Sequence, residues 1–482
     1  MSVGCNCQSE LVGLRPTRRD WLKNSAIGFG YLAATALLAE KTSGARQAYS
    51  NPLSPREPHF AARAKRVVFV FMKGGPSQVD TFDYKPNLQR DDGKECPFEK
   101  PRVQFAPTGK LLKSPWKFSQ YGETGSYVSE LFPNVAKHVD DLCFIHSLHG
   151  SNAAHGGALL KMHTGSDNFV RPSLGAWVSY GLGTENDNLP GFVTICPTLA
   201  HGGVNNWSSA FLPAVYQGVP LGNASTPSDQ ARIRYIANEA GTPAAVQRKQ
   251  LDLLQQFNRR HLEEGALDAA LEGRIASFEL AFRMQSEMPQ VEDLSQETAA
   301  TRRAYGLDEK VTENFGRQCL LARRFLERGV RFVQVTHSDA NVQWDQHSNL
   351  REGHTKNALE VDQPIAALLE DLKQRGLLED TLVIWTGEFG RTPTAQGKDG
   401  RDHNPDGFTV WFAGGGTKPG LHYGSTDEYG FYAAENKVHV HDFHATVLAL
   451  MGLNHEKLTF RHAGRDFRLT DVHGRIVSEV FA

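Results

Sequence analysis

Short apolar runs and stretches of helical periodicity alternate along the chain. The run at residues 66–72 is continuous and rich in β-branched and aromatic residues, which is typical of a strand buried on both faces. Comparable runs predict further strands at 142–146, 330–335, 381–385 and 408–413. Apolar residues at three- and four-residue spacing predict helices over 244–326, 358–375 and 442–451. This alternation predicts an α/β fold, a doubly wound and mostly parallel sheet with helices on both faces.

Polar and Gly/Pro-rich stretches set the expected domain limits. Residues 49–64 are polar and contain proline, so they are predicted to form a linker. We expect one α/β domain over 65–482, with a helical insertion at about 228–328. The stretch 190–220 is rich in Gly, Pro and Asn and is predicted to form loops over a functional site.

The first 48 residues are predicted to be a targeting address rather than part of the fold. Arg18 and Arg19 precede a short apolar segment at 26–39. This pattern resembles a twin-arginine export signal, and a chance arginine pair before an apolar helix is the plainer alternative. The apolar segment is short and Gly/Ala-rich for a membrane span. We therefore expect an exported protein, periplasmic or extracellular, with no stable membrane span after signal removal.

Charge and histidine content narrow the classes of partner. The 482 residues contain 52 Lys plus Arg against 54 Asp plus Glu, so no overall field favours nucleic acid, and we expect no nucleic-acid partner. Histidines are unevenly distributed, because eleven of the 19 lie beyond residue 330. That distribution favours a metal or proton-transfer site in the last third of the chain.

In that last third, carboxylates and imidazoles recur just after predicted strands. The carboxyl ends of the strands are where an α/β sheet places its active site. Asp345 and His347 lie two residues apart after the strand at 330–335. Alternate residues of an extended segment point to the same side, so one divalent metal can accept both side chains. A surface Asp–His pair beside Trp344 is the alternative that these residues leave open.

The next candidates follow the strand at 381–385. Glu388 comes just after it and is a candidate metal ligand or base, while the guanidinium of Arg391 suits a sulfate, phosphate or carboxylate. An Arg391–Glu388 ion pair within a structural turn is the alternative. His403 is the best third metal ligand, and the neighbouring Asp402 is a further candidate.

His155 precedes a segment that is predicted to begin a helix. The free backbone amides and the dipole of a helix start favour a bound anion. His155 is therefore predicted to act there as a ligand, an acid/base group or a nucleophile. No GxSxG element and no Ser/His/Asp order stands out, which disfavours a serine hydrolase.

Four motifs together resemble the signatures of the DUF1501 family. They are KGGPSQVDTFD at 73–83, WDQH at 344–347, EFGRTP at 388–393 and GRDH at 400–403. That family consists of exported, largely uncharacterised proteins that are abundant in planctomycetes. More remotely, the family resembles the alkaline phosphatase/sulfatase superfamily. The resemblance implies a doubly wound α/β sheet with a metal site at the strand ends.

The superfamily resemblance also implies roles for individual residues. Asp345, His347 and His403 resemble the Asp-His-His set of one metal position, and Glu388 resembles the carboxylate of a second. His155 occupies the position of the nucleophile, in a segment similar to the sulfatase nucleophile helix.

The chain departs from that pattern at two positions, and a third residue is a possible replacement. Phe389 stands where the second metal position normally has His, and Met72 stands near where the first strand usually offers an Asp. Asp80 is the residue that the resemblance suggests as a compensating ligand. A missing nucleophile and a depleted second position favour a single metal over the usual two-metal, covalent mechanism.

We therefore expect an exported, metal-dependent hydrolase of sulfate or phosphate esters, acting on an anionic small molecule or on a polysaccharide-derived substrate. The expected cofactor is one divalent ion such as Zn, Ca or Mn. His155, Glu388 and Arg391 are the expected catalytic groups. The alternative is a catalytically degenerate member that binds anionic glycans or a surface partner.

Overall fold

The computed structural model describes residues 51–97, 107–234, 236, 241–264, 269–338 and 343–482. The predicted export signal lies outside these residues. Asn51–Ala482 forms one compact unit. None of the described helices is long and apolar enough to cross a membrane.

Strands and helices are numbered in chain order. The strands are β1 (Arg66–Met72), β2 (Phe118–Tyr121), β3 (Ser126–Ser129), β4 (Leu142–His149), β5 (Phe192–Ile195), β6 (Val219–Leu221), β7 (Phe332–His337), β8 (Thr381–Thr386), β9 (Gly390–Gln396), β10 (Gly400–Asn404), β11 (Phe408–Ala413), β12 (His422–Tyr423), β13 (Ser425–Thr426), β14 (Ala433–Glu435), β15 (Val438–His439), β16 (Phe460–His462) and β17 (Arg465–Phe467). The helices are α1 (Gln78–Thr81), α2 (Pro86–Arg90), α3 (His155–Thr164), α4 (Leu174–Leu182), α5 (Ala244–Glu264), α6 (Ala269–Glu292), α7 (Ala299–Ala304), α8 (Glu313–Glu327), α9 (Leu350–Gln374) and α10 (Val440–Leu450).

One large sheet organises the described part of the chain. Its strand order is β12-β4-β11-β8-β1-β7-β5-β6, and β15 also pairs with β4. β1 runs parallel to both β7 and β8, and β5 runs parallel to β7 and β6. β11 is antiparallel to its neighbours β8 and β4. The doubly wound, mostly parallel α/β sheet predicted from the sequence is confirmed.

Helices cover both faces of this sheet. On one face, Phe69 of β1 contacts His163 of α3 and Phe443 of α10. On the other face, His337 of β7 contacts Phe315 of α8. Because both faces are covered, residues Val67 to Met72 of β1 are fully buried, which explains the continuous apolar run in the sequence.

The parallel strands β1, β7 and β8 end at the same edge of the sheet. Gly74 follows β1 and Glu388 follows β8, while the chain after β7 leads to Asp345. A backbone hydrogen bond from Trp344 N to Lys73 O, 3.2 Å long, joins two of these strand ends. The candidate residues therefore lie at the carboxyl edge, as expected for an α/β sheet.

One local prediction was wrong, and one pair of strands was not predicted. The segment 190–220 is not all loop, because β5 and β6 lie within it and complete one side of the sheet. The polar stretch after β8, for which the sequence predicted no strand, forms the two-stranded antiparallel β9–β10 ribbon, with His403 opposite Arg391. A register shift between Arg401 and His403 marks a bulge in β10, a feature that redirects side chains locally.

The predicted helical insertion contains α5 and α6, which pack on each other. Further along the chain, α8 packs on β7 and on α9, so it belongs to the helical layer of the main sheet.

Candidate metal centre

Four separate parts of the fold bring the candidate residues together. His155 is the first residue of α3, and Asp345 and His347 lie in the segment between β7 and α9. Glu388 lies between β8 and β9, and His403 lies on β10. The structure thus gathers residues that are up to 248 positions apart in sequence, from 155 to 403, at one edge of the sheet.

Asp345, His347 and His403 form the centre of the cluster. Oδ1 of Asp345 lies 2.9 Å from Nε2 of His347 and 2.9 Å from Nε2 of His403. The two Nε2 atoms lie 3.0 Å apart. Three potential ligand atoms therefore converge on one point, as the sequence predicted for these residues.

The contacts of Nδ1 show which tautomer His347 and His403 adopt. Nδ1 of His403 lies 2.6 Å from the carbonyl oxygen of Ala153, which is only an acceptor, so this nitrogen carries the proton. Nδ1 of His347 faces the side-chain oxygen of Gln396 in the same way. In the neutral rings both Nε2 atoms are then lone-pair donors, the form in which histidine binds a metal.

The electrostatic environment keeps His403 in this form. Burial lowers the pKa of His403 to about 4, so its ring is neutral at pH 7. The partly exposed His347 behaves differently, because its contact with Asp345 raises its pKa. For Asp345, burial opposes ionisation, but the surrounding imidazoles hold the pKa of the carboxyl well below its usual range. The centre therefore offers a carboxylate and at least one neutral imidazole at pH 7.

His155 lies between two carboxylates. Its Nδ1 is 2.7 Å from Oε1 of Glu388, and its Nε2 is 3.1 Å from Oδ2 of Asp345. Burial disfavours the imidazolium, but these two contacts outweigh it and raise the pKa of His155 to about 9. Between these two carboxylates His155 is therefore a cation at pH 7, which is the wrong state for a nucleophile.

Glu388 reaches the centre through His155. Both of its carboxylate oxygens accept the backbone N–H of Gly74, at 2.9 and 3.0 Å, and Oε1 also contacts Nδ1 of His155. Burial acts to raise the pKa of Glu388, but the contact with His155 leaves it lowered overall. This placement makes Glu388 a group that positions His155, and its role as a direct metal ligand stays a prediction.

Asp402, the further candidate from the sequence, lies beside His347 and His403. Among the described residues, two groups have potential ligand atoms within 4.8 Å of one another. One is His155, Asp345 and His403, and the other is His347, Asp402 and His403. Oδ1 of Asp402 accepts the backbone N–H of His403 at 2.8 Å, while its buried Oδ2 has no hydrogen-bond partner among the described residues. This oxygen is available to a bound cation.

Arg391 lies beneath the cluster and does not reach the surface. Its guanidinium is fully buried and donates to the carbonyl oxygens of Gly74, Gly75 and Arg401, and to Oδ1 of Asp345 at 2.6 Å. The expected direct contact with an anionic substrate is therefore wrong, because no exposed part of the guanidinium is available for it. Arg391 instead positions Asp345 and compensates its charge.

Asp80 is not a ligand of this centre. Its two carboxylate oxygens accept Nε and Nη2 of Arg401, at 2.6 and 3.1 Å, and both side chains are fully buried. A buried carboxylate that is bound twice by one guanidinium is already compensated. The suggestion that Asp80 replaces a missing ligand was therefore wrong. Met72, near where that ligand was expected, is a fully buried residue at the end of β1.

Phe389 forms an apolar wall of the centre. Its ring stacks on His403 with a centroid separation of 4.4 Å and lies 5.0 Å from the ring of His155. Gly75, which has a φ of +76°, allows this ring to approach the turn after β1, because a Cβ there would lie 2.7 Å from the Phe389 ring. The aromatic ring offers no ligand atom to a metal on this side of the centre.

His201 is a residue of this region that was not predicted from the sequence. Its exposed ring stacks on His155, with centroids 5.0 Å apart and planes 17° apart. His201 has a φ of +50°, which is uncommon for a residue with a side chain. It lies in the Gly/Asn-rich segment that was predicted to cover the site, but no local motif marked it.

The donor set fits a divalent metal. It contains two imidazole nitrogens and two carboxylates, a combination that suits zinc or manganese better than calcium, which prefers oxygen ligands. The outward-facing N–H groups of both histidines are bound by acceptors, as is usual for histidines that ligate metals. The unpartnered Oδ2 of Asp402 is consistent with the same interpretation.

The fold and this centre are those of an α/β protein with a candidate metal site at its strand ends. The chain belongs to the family described as "Protein of unknown function (DUF1501)", whose model matches residues 64–481. The family predicted from the sequence motifs is confirmed. No curated protein sequence matches the chain significantly.

Several solved structures are similar to this chain at low identity. The lipoteichoic acid synthase LtaP from Listeria monocytogenes is 9% identical, with 86% of this chain and 78% of that chain covered, at a TM-score of 0.34. The PsFucS1 sulfatase from Pseudoalteromonas sp. is 13% identical, with 82% and 69% covered, at a TM-score of 0.35. A protein in the alkaline phosphatase superfamily from Vibrio parahaemolyticus is 9% identical, with 83% and 70% covered, at a TM-score of 0.35.

Proposed function

We propose that the protein is an exported, metal-dependent hydrolase of sulfate or phosphate esters. The observation that carries this proposal is the convergence of Asp345 Oδ1 with the Nε2 atoms of His347 and His403, within 3.0 Å of one another. Export is proposed from the arginine pair and apolar segment near the start of the sequence.

Asp345, His347 and His403 would hold a divalent ion, and Asp402 lies close enough to contribute. Such an ion, when bound, stabilises the negative charge that develops on an ester oxygen during hydrolysis. Arg391 keeps Asp345 in place from below, through its 2.6 Å contact with Oδ1. Gln396 and the carbonyl oxygen of Ala153 orient the two histidine rings.

His155 is the group best placed to bind the anionic part of the ester. It begins α3, and no side chain caps the backbone N–H groups of the first turn. These backbone N–H groups can donate to a sulfate or phosphate, and the cationic imidazole adds positive charge while its own ring nitrogens face Glu388 and Asp345. Glu388 fixes the orientation of the ring by accepting from Nδ1 at 2.7 Å. The start of α3 therefore binds the anionic group, His155 contributes its charge there, and Glu388 positions His155.

A binding protein without catalytic activity is the second candidate. The observation that favours it is the state of His155, whose ring nitrogens both contact carboxylates at the position where the superfamily resemblance implies a nucleophile. Such a protein would retain the anion site for anionic glycans or a surface partner, and it would release no product.

The test is turnover by purified protein with Zn²⁺ or Mn²⁺ supplied, on a panel of aryl sulfates and aryl phosphates. The hydrolase proposal predicts release of the phenol and its loss in the Asp345→Asn variant. The exposed Asp187→Asn variant is the matched control and is expected to keep full activity. Absence of turnover in a protein that binds the metal would exclude the hydrolase on these substrates and favour the binding protein.

A further inference from the structure

Two loops beside α3 expose large apolar side chains to solvent. The loop between α3 and α4 carries Phe169 and Val170, which are 64% and 55% exposed. The loop after β5 carries Leu199 and Val204, which are 57% and 58% exposed. Single exposed apolar residues are ordinary, but groups on neighbouring loops mark binding surfaces. We call these four side chains, on two linked loops, the apolar rim.

The two loops are joined to each other and to the start of α3. The backbone N–H of Ser173 donates to the carbonyl oxygen of Ser208 over 2.9 Å, which links the loop of Phe169 to the loop of Leu199. The turn at 203–207 packs against α3. Asn152, three residues before His155, donates to Asp167 over 3.3 Å. The apolar rim therefore borders the helix whose first residue is His155.

His201 connects the apolar rim with the metal centre. It lies two residues after Leu199 and three before Val204, and its ring stacks on His155. Its carbonyl oxygen accepts the side-chain amide of Asn206 over 3.2 Å, which holds the loop in its left-handed conformation at this position. A molecule whose anionic end contacts His155 would meet His201 next and then the apolar rim.

We propose that the apolar rim binds the alcohol portion of the substrate, and that the substrates are amphiphilic esters with an anionic sulfate or phosphate and an apolar alcohol. This inference rests on the proposed function of the metal centre. Sugar hydroxyls need hydrogen-bond partners, and the four side chains of the apolar rim provide none. Binding of alkyl or aryl groups is instead favourable, because it removes apolar surface of both partners from water. The substrate class therefore differs from the polysaccharide-derived one expected from the sequence.

The experiment is calorimetric binding of n-alkyl sulfates from ethyl to octyl to the full chain, with Zn²⁺ supplied. The head group is constant across the series, so only apolar contact changes. Affinity should rise about fourfold for each methylene that becomes buried. The Leu199→Ser/Val204→Ser variant should flatten this dependence while still binding ethyl sulfate. Leu359→Ser is the matched control, because Leu359 is 60% exposed on α9, and it should leave the dependence unchanged.

Affinity that is independent of chain length, or a dependence that survives in the double variant, would overturn the proposal. A second result would also overturn the proposal. If the wild type shows no chain-length dependence but binds phosphatidylcholine vesicles, and the double variant loses that vesicle binding, the apolar rim binds a lipid surface instead. Turnover of the same alkyl sulfates and the corresponding phosphates separates the two claims. A chain-length dependence without turnover contradicts only the proposal of a hydrolase. Turnover without a chain-length dependence contradicts only the binding role of the apolar rim.

Discussion

Nε2 of His403 lies 2.9 Å from Oδ1 of Asp345, although both atoms are acceptors when the ring is neutral. The ring donates from its other nitrogen to the carbonyl oxygen of Ala153, and burial lowers its pKa to about 4. Two acceptors at this distance repel each other unless a cation lies between them. A divalent ion bound by both atoms, as proposed for this centre, would remove that repulsion.

The side chain of Gln396 should control metal affinity without touching the metal. Its oxygen accepts Nδ1–H of His347 and so directs Nε2 towards the centre. Removing such a partner of a metal-bound histidine typically weakens metal binding by about 10- to 100-fold. We expect Gln396→Leu to show this loss in a Zn²⁺ titration.

Gln396→Glu is the matched variant for that measurement. It keeps an oxygen acceptor at the same place, so it should retain most of the affinity that Gln396→Leu loses. Equal weakening by both substitutions would indicate that the effect comes from local packing, and it would contradict the role assigned to the hydrogen bond.

The buried pair of Asp80 and Arg401 should stabilise the fold and be dispensable for metal binding. Removing the carboxylate leaves a fully buried guanidinium uncompensated, which typically costs about 3–5 kcal/mol of the free energy of unfolding. We expect that loss for Asp80→Ala in urea unfolding. The folded variant should still bind one equivalent of metal.

Asp80→Ala/Arg401→Met tests the cause of that loss. The double substitution removes both charges, so it should be less destabilising than Asp80→Ala alone. An Asp80→Ala variant that lost the metal while keeping its free energy of unfolding would make Asp80 a ligand, and it would contradict the purely structural role of this pair.

Stability should fall in acid because of buried neutral histidines, of which His354 on α9 is an example. Burial lowers the pKa of His354 to about 3, and its Nε2 accepts the backbone N–H of Ser77 at 3.1 Å. An unfolded histidine titrates near pH 6.5, so between there and about pH 3 the unfolded state binds more protons. The free energy of unfolding therefore decreases as the pH falls through this window.

His354→Gln removes this titration and keeps an acceptor for Ser77. Its free energy of unfolding should therefore depend less steeply on pH below 6.5 than that of the wild type. His473→Gln, at an exposed histidine, is the control. Urea unfolding between pH 6.5 and 4.5 measures the slopes, and identical slopes for wild type and His354→Gln would rule out this contribution.

Strong local patterns made the sheet and its functional edge predictable. The apolar run of β1 has the same limits in the sequence and in the structure, because both faces of the strand are buried. The position of Asp345, His347 and His403 at the carboxyl edge was also predictable, because they follow predicted strands. Strand limits and residues that follow strands are predictable because a few neighbouring residues determine them.

Features that depend on distant pairing were not predictable. The β9–β10 ribbon has a polar sequence with little apolar alternation, so its pairing shows only in the fold. The partners of Arg391 and Asp80 come from other segments, and these contacts reverse the roles expected for both residues. His201 belongs to the site only because its ring stacks on His155, which lies 46 positions earlier in the sequence.

The most direct test of the metal centre is anomalous scattering from crystals of metal-loaded protein, recorded at the absorption edge of the metal supplied. We expect one strong peak in contact with Asp345, His347 and His403, and its absence in crystals of the His403→Ala variant. A peak elsewhere, or no peak in a protein shown by elemental analysis to contain stoichiometric metal, would contradict the metal centre proposed for these residues.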